Sequence, residues 1–99
     1  MSVISIYVAN PTDFPTLVRA IRPSTGLSIA DIKSRIDNDV PIYERELFLN
    51  DFADVADTLR QLVIALNEVG AEFTIHESGD VIDPSTLFNI LEGSEKYRL

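Results

Sequence analysis

Residues 14–33, FPTLVRAIRPSTGLSIADIK, constrain the fold more than any other stretch of the chain. Phe14, Leu17, Val18 and Ile21 fall at i, i+3, i+4 and i+7, which predicts one amphipathic helix with a single apolar stripe. At 100° per residue Arg19 lies roughly opposite that stripe and Arg22 on its flank. Thr12 or Asp13 can cap this helix, and Pro15 is tolerated in a first turn whose N–H groups have no intrahelical partner. Pro23 is expected to end it, because proline disfavours the α conformation at the residue before it. Gly26 then supplies a left-handed turn. Ser28 opens a second helix with Asp31 three residues on, a short version of the capping box. Its expected inner face is Ile29, Ile32 and Ile36, with Lys33 toward the outside. Two consecutive helices, each apolar on one side, need another layer to cover them.

The flanking segments supply that layer. Val3, Ile4, Ile6, Tyr7 and Val8 form a β-branched and aromatic run that stops at Asn10-Pro11, the pattern of a strand. The second helix is expected to stop before Pro41, and Ile42 to Leu49 reads as an edge strand whose charges discourage further pairing. Asn50 or Asp51 caps a third helix, with Asp54 in its first turn. Phe52, Val55, Ala56, Leu59, Leu62, Val63 and Leu66 keep its 3.6-residue period until Gly70 ends it. Ala71, Phe73 and Ile75 alternate with Glu72, Thr74 and His76, a strand with one wet face. Ser78-Gly79-Asp80 turns the chain. Asp83-Pro84 then starts a short helix bearing Leu87, Phe88 and Leu91, ended by Gly93, and the final SEKYRL is expected to fray.

The expected fold is therefore α+β: a three-stranded, mostly antiparallel sheet with three helices on one face, in the order strand-helix-helix-strand-helix-strand, plus a short C-terminal helix. Residues 1–77 make the domain and 78–99 an extension.

Hydrophobic residues are 45% of the 99 and charged residues 24%, as in a globular domain rather than a disordered chain. There is no cysteine, so neither a disulfide nor a thiolate metal site can form. The N-terminus lacks the pattern of a signal peptide. No window approaches the ~20 apolar residues that span a bilayer. The expected compartment is the cytoplasm.

Sixteen acidic residues against eight basic ones give a net charge of −8, which disfavours nucleic-acid binding. The distribution is uneven. Residues 14–36 hold Arg19, Arg22, Lys33 and Arg35 against Asp31 alone. Residues 37–57 hold Asp37, Asp39, Glu44, Glu46, Asp51, Asp54 and Asp57 against Arg45 alone. A protein so divided presents two chemically distinct surfaces.

The segments Leu17–Arg22, Thr25-Gly26-Leu27, Ile29–Lys33 and Glu68-Val69-Gly70-Ala71-Glu72, in this order of elements, resemble the C-terminal domain of the bacterial ribosomal stalk protein L7/L12 over about residues 3–77. The resemblance implies a domain that binds translational GTPases through its first two helices, with Arg19, Arg22 and Lys33 as charged contacts and Gly26 and Leu27 shaping the turn between them. Val18 is adjacent in that motif, but its place in the stripe argues for the core. The chain departs from the family in several ways. Ser28 stands where a second glycine is usual, and Arg35 where an apolar residue is usual. Extra residues precede the middle strand, residues 78–99 are added, and the stalk protein's dimerisation segment and hinge are expected to be absent.

Catalytic apparatus is not visible. His76 is the single histidine, on the wet face of a strand, so no zinc set or nucleophile–base pair can be assembled. The aspartates do not follow the spacing of a calcium loop, and Ser24-Thr25-Gly26 is a weak anion-binding signal. No cofactor or metal is expected. The leading expectation is a non-catalytic protein-binding module with the stalk-domain fold, whose working surface is either the basic face of Arg19, Arg22 and Lys33, which the resemblance directs to a translation factor, or the acidic segment 37–57. The alternative is an acidic bacterial immunity or antitoxin protein whose Asp37, Asp39, Glu44, Glu46, Asp51, Asp54 and Asp57 meet a basic toxin. Against the first stands the possibility that the basic residues only make surface ion pairs with Asp31, Asp37 or Asp39. The stripe Leu87-Phe88-Leu91 serves either as core or as a docking helix, which leaves monomer and weak homodimer both open.

Overall fold

A computed structural model describes residues 2–9, 13–47 and 50–96, with the side chains of 94–96 outside the description. The elements run β1 (Val3–Val8), α1 (Phe14–Thr25), α2 (Ile29–Asp37), β2 (Tyr43–Glu46), α3 (Phe52–Glu68), β3 (Phe73–Glu77), β4 (Asp80–Ile82) and α4 (Pro84–Lys96). The expected endpoints at Asn10-Pro11 and Leu49, and a Thr12 cap, lie outside the described residues, as does the end of SEKYRL beyond residue 96.

Among the described residues the sheet has four strands in the order β2-β1-β3-β4, every pair antiparallel, and there are four helices. This corrects the expected three-stranded sheet with three helices and a short terminal one. The additional strand comes from the Ser78-Gly79 turn. Ser78 and Gly79 both take positive φ, 50° and 93°, which is the twist a two-residue hairpin requires. Glu77 therefore faces Asp80, and Ile75 faces Ile82, where a mere change of direction was expected.

The terminal helix is longer than expected and continues through Gly93 to Lys96. Gly93 falls in the last turn, and a glycine costs a helix only about 1 kcal/mol, so it does not by itself end one. Leu87 and Leu91 are fully buried in the same core as Ile4, Ile6 and Ile75. The stripe is thus core, and α4 joins α1, α2 and α3 on one side of the sheet.

Alternation in β1 sends Ile4, Ile6 and Val8 into that core, against Leu17 and Ile21 of α1, Ile32 and Ile36 of α2, and Leu59, Leu62 and Leu66 of α3. Tyr43 and Arg45, paired with Ile6 and Ile4, turn to the same side, where the Arg45 guanidinium sits 5.3 Å from the Tyr43 ring centroid. Burial pushes the Tyr43 phenol up from its ordinary pKa, against a hydrogen bond with Thr58. Among the described residues, the opposite face of the sheet carries no helix.

Two aspartates start helices. Asp13 accepts from the Thr16 hydroxyl (2.6 Å) and amide (3.2 Å), and Asp83 accepts from the Thr86 amide (2.7 Å). The Thr16 hydroxyl and then its amide hold Asp13 below the ordinary carboxylate pKa, with Arg19 adding a little; the Thr86 amide and then its side chain do so for Asp83. A carboxylate depressed in the folded state stabilises it above the unfolded pKa of about 3.9, and that support disappears as pH falls through the folded pKa. The double variant Asp13→Asn/Asp83→Asn is expected to be less stable than the parent at neutral pH. Urea midpoints measured as pH is lowered should show that difference shrinking below about pH 4.

Candidate partner-binding site

The α1–α2 pair builds a groove from three rows of side chains. Residues four apart stack on one helix face, so Phe14, Val18 and Arg22 form one row of α1, and Pro15, Arg19 and Pro23 the next. From α2, Ile29 lines the facing side, and Lys33, one turn further along the same row, reaches toward the Phe14 ring. The groove measures about 670 Å³, with Val18 as its floor and Ile29 beside the turn at Gly26. A second hollow, between α1 and Gln61, Ala65 and Glu68 of α3, lies on the other side of Arg19 and Pro23. The Pro15–Arg19–Pro23 row is therefore a ridge standing between two depressions.

Local chemistry holds this shape. α1 does not end at Pro23 as expected but runs on to Thr25. Its last turn is secured by the Gly26 amide donating to Arg22 O (2.9 Å) and the Thr25 hydroxyl donating to Ile21 O (2.9 Å), which offset the bond that proline cannot make. Thr25 also accepts from the Leu27 amide (3.2 Å), and Ser28 then caps α2 by accepting from the Asp31 amide (3.1 Å). Gly26 has φ of 71°, and a methyl group on its Cα would meet nothing within 4 Å, so backbone conformation alone requires glycine there. Gly26→Ala should cost about 1–2 kcal/mol in urea unfolding, the penalty of a left-handed L-residue.

The four basic residues separate into three situations. Arg19 and Arg22 are exposed on the groove and, among the described residues, form no ion pair. Lys33 lies 6.0 Å from the Phe14 ring centroid at the groove's end, and pairs with Asp37 at 3.3 Å. That pair is open to water and contributes at most ~1 kcal/mol. Arg35 is half-buried and donates to Pro41 O at 3.1 Å, holding the chain that leaves α2.

Ile29 is 52% exposed, although it was expected on the inner face of α2. As the first residue after the Ser28 cap it follows Lys33 and Asp37 rather than Ile32 and Ile36, and it adds an apolar contact beside the arginines. Val18 is 7% exposed and packs in the core, as its stripe position implied, while also lining the groove. Sequence reasoning missed Phe14, Pro15, Pro23 and Ile29 as parts of this surface. The i+4 rows that join them to Arg19, Arg22 and Lys33 were the available signal.

The acidic residues are not gathered in the same way. Asp37 ends α2, and Asp39, with φ of 53°, occupies the turn after it. Glu44 and Glu46 alternate with the inward Tyr43 and Arg45, so they face the side of the sheet without helices. Asp51, Asp54 and Asp57 lie exposed at the start of α3, with Asp57 3.8 Å from Arg60. The set is spread over three regions. Among the described residues no group of three or more His, Asp or Glu is arranged to hold a metal ion, and no helix is long and apolar enough to cross a membrane.

In comparisons with known proteins the chain finds no matching family model, curated protein or solved structure.

Proposed function

We propose that this chain is a non-catalytic, cytoplasmic protein-binding module, and that its working surface is the groove between α1 and α2. One observation carries the reading: two arginines without ion-pair partners among the described residues border a groove lined by Phe14, Val18 and the exposed Ile29. Arginine is one of the residue types enriched among the few that dominate binding energy at protein interfaces. Exposed guanidinium groups on a chain of charge −8 steer an acidic partner patch toward this groove. The resemblance of this segment to the ribosomal stalk domain suggests the partner's class, a translational GTPase. Calorimetric titration of a purified bacterial elongation-factor GTPase tests it: the unmodified chain should bind, and Ile29→Asp should bind at least about tenfold more weakly.

The inhibitor reading assigns the work to the acidic residues. Their dispersal, together with the neutralisation of Asp37 by Lys33 and of Asp57 by Arg60, favours it less.

A further inference from the structure

We infer that the uncovered face of the sheet is a second docking surface, independent of the groove, for a cationic protein segment that presents arginine. The strand alternation that buries Ile4, Ile6 and Ile75 directs Ser5 and Tyr7 of β1, Thr74 and His76 of β3, and Val81 of β4 away from the helices. The Tyr7 and His76 rings lie with centroids 4.8 Å apart at a tilt of 44°, an aromatic pair across the two central strands. Beside it, Val81 is 69% exposed, the most open of the large apolar residues described.

Among the described residues the charge on this face has one sign. Glu44 and Glu46 point to it from β2, and Glu72 from the residue before β3, while the described residues of the strands send no lysine or arginine there; Arg45 turns to the helix side. Arg19, Arg22, Lys33, Arg35 and Arg60 all belong to helices on the other side. Glu44 is held in place: the Ser5 hydroxyl, on a residue only 7% exposed, donates to its Oε2 at 2.6 Å. Ser5 faces Glu44 directly, so Tyr7, two residues along β1, is its diagonal neighbour at about 7–8 Å. A guanidinium stacked on the Tyr7 ring can therefore reach the Glu44 carboxylate. Planar, delocalised arginine satisfies both contacts, whereas the compact lysine ammonium satisfies chiefly the charge. Complementary charge, an aromatic pair and an exposed valine together commit the face to that occupant rather than to a second copy of this acidic chain.

The test is an NMR titration of the intact protein with an end-blocked octapeptide alternating arginine and glycine, and with its lysine counterpart. Amide shifts are expected at Ser5, Tyr7, Thr74, His76 and Val81, with the arginine peptide binding more tightly than the lysine one. Glu44→Gln/Glu46→Gln should weaken the arginine peptide by about fivefold or more, while Asp51→Asn/Asp54→Asn on α3 should change it by less than about twofold. Retained amide dispersion verifies that each variant is folded. Shifts centred on α3, equal losses in the two double variants, equal affinity for the two peptides, or a dimer in sedimentation that occludes this face would each overturn the inference. The groove variants leave this titration unchanged, so the two surfaces succeed or fail separately.

Discussion

Reversing the two groove arginines, Arg19→Glu/Arg22→Glu, should reduce affinity for the elongation-factor GTPase by roughly a hundredfold or more. Each substitution replaces attraction by repulsion against an acidic patch, so the loss exceeds that of simple truncation. The salt response tests the same reading. Exposed charges act over a screening length of about 8 Å at physiological ionic strength, so association of the parent chain should slow as salt rises. The reversed variant should lose that dependence or invert it. Asp51→Lys/Asp54→Lys is the matched control and should leave binding within about twofold of the parent. Neither arginine belongs to the core cluster, and so thermal stability should change little in the reversed variant. If the acidic residues do the binding instead, the two variants exchange their effects.

The second large effect is on stability. Leu87→Ala and Leu91→Ala should each destabilise the protein by about 2–5 kcal/mol, since both side chains are completely buried and alanine leaves a cavity. A domain of this size has about 5–15 kcal/mol in total, so the double variant should be largely unfolded. Circular dichroism and urea titration read this directly. A terminal helix that merely docked onto another copy would give the opposite result, a stable monomer with lost self-association. The substitutions remove the inner row of α4, which joins the core with Phe88 and Ile90 packed beside it.

The difference between legible and illegible parts of the fold follows from the range of the interactions involved. α3 is readable because seven buried residues, Phe52 to Leu66, repeat at the helical period, and that pattern needs no knowledge of its neighbours. β1 and β3 are readable from β-branched runs and alternation. β4 is only three residues long, and its cue was the two-residue Ser78-Gly79 spacing between Glu77 and Asp80, which reads as a plain turn until a partner strand is supplied. Gly93 looked like a stop, but a glycine costs a helix only about 1 kcal/mol, and α4 carries it within its last turn. Pro23 misled in the same way, because the Thr25 and Gly26 hydrogen bonds that keep α1 going lie beyond it.

The site shows the same division. Outward placement of Arg19, Arg22 and Lys33 follows from helical phase alone. Ile29 does not, because an isoleucine at the first position of a helix fits both the inner row and the row of Lys33, and only the angle between α1 and α2 decides between them. Ser5, Tyr7 and His76 were illegible as a group for a related reason. Their meeting depends on strand register, which no single segment encodes.

Methyl NMR tests the central assignment most directly, because exposed methyl groups occur on each rival surface: Ile29 in the groove, Ile64 on α3 and Val81 on the bare sheet face. On addition of the purified elongation-factor GTPase, the Ile29 and Val18 methyl signals should shift or broaden while those of Ile64 and Val81 stay where they are. Movement of Ile64 or Val81 with Ile29 unmoved would place the contact elsewhere and contradict the assignment.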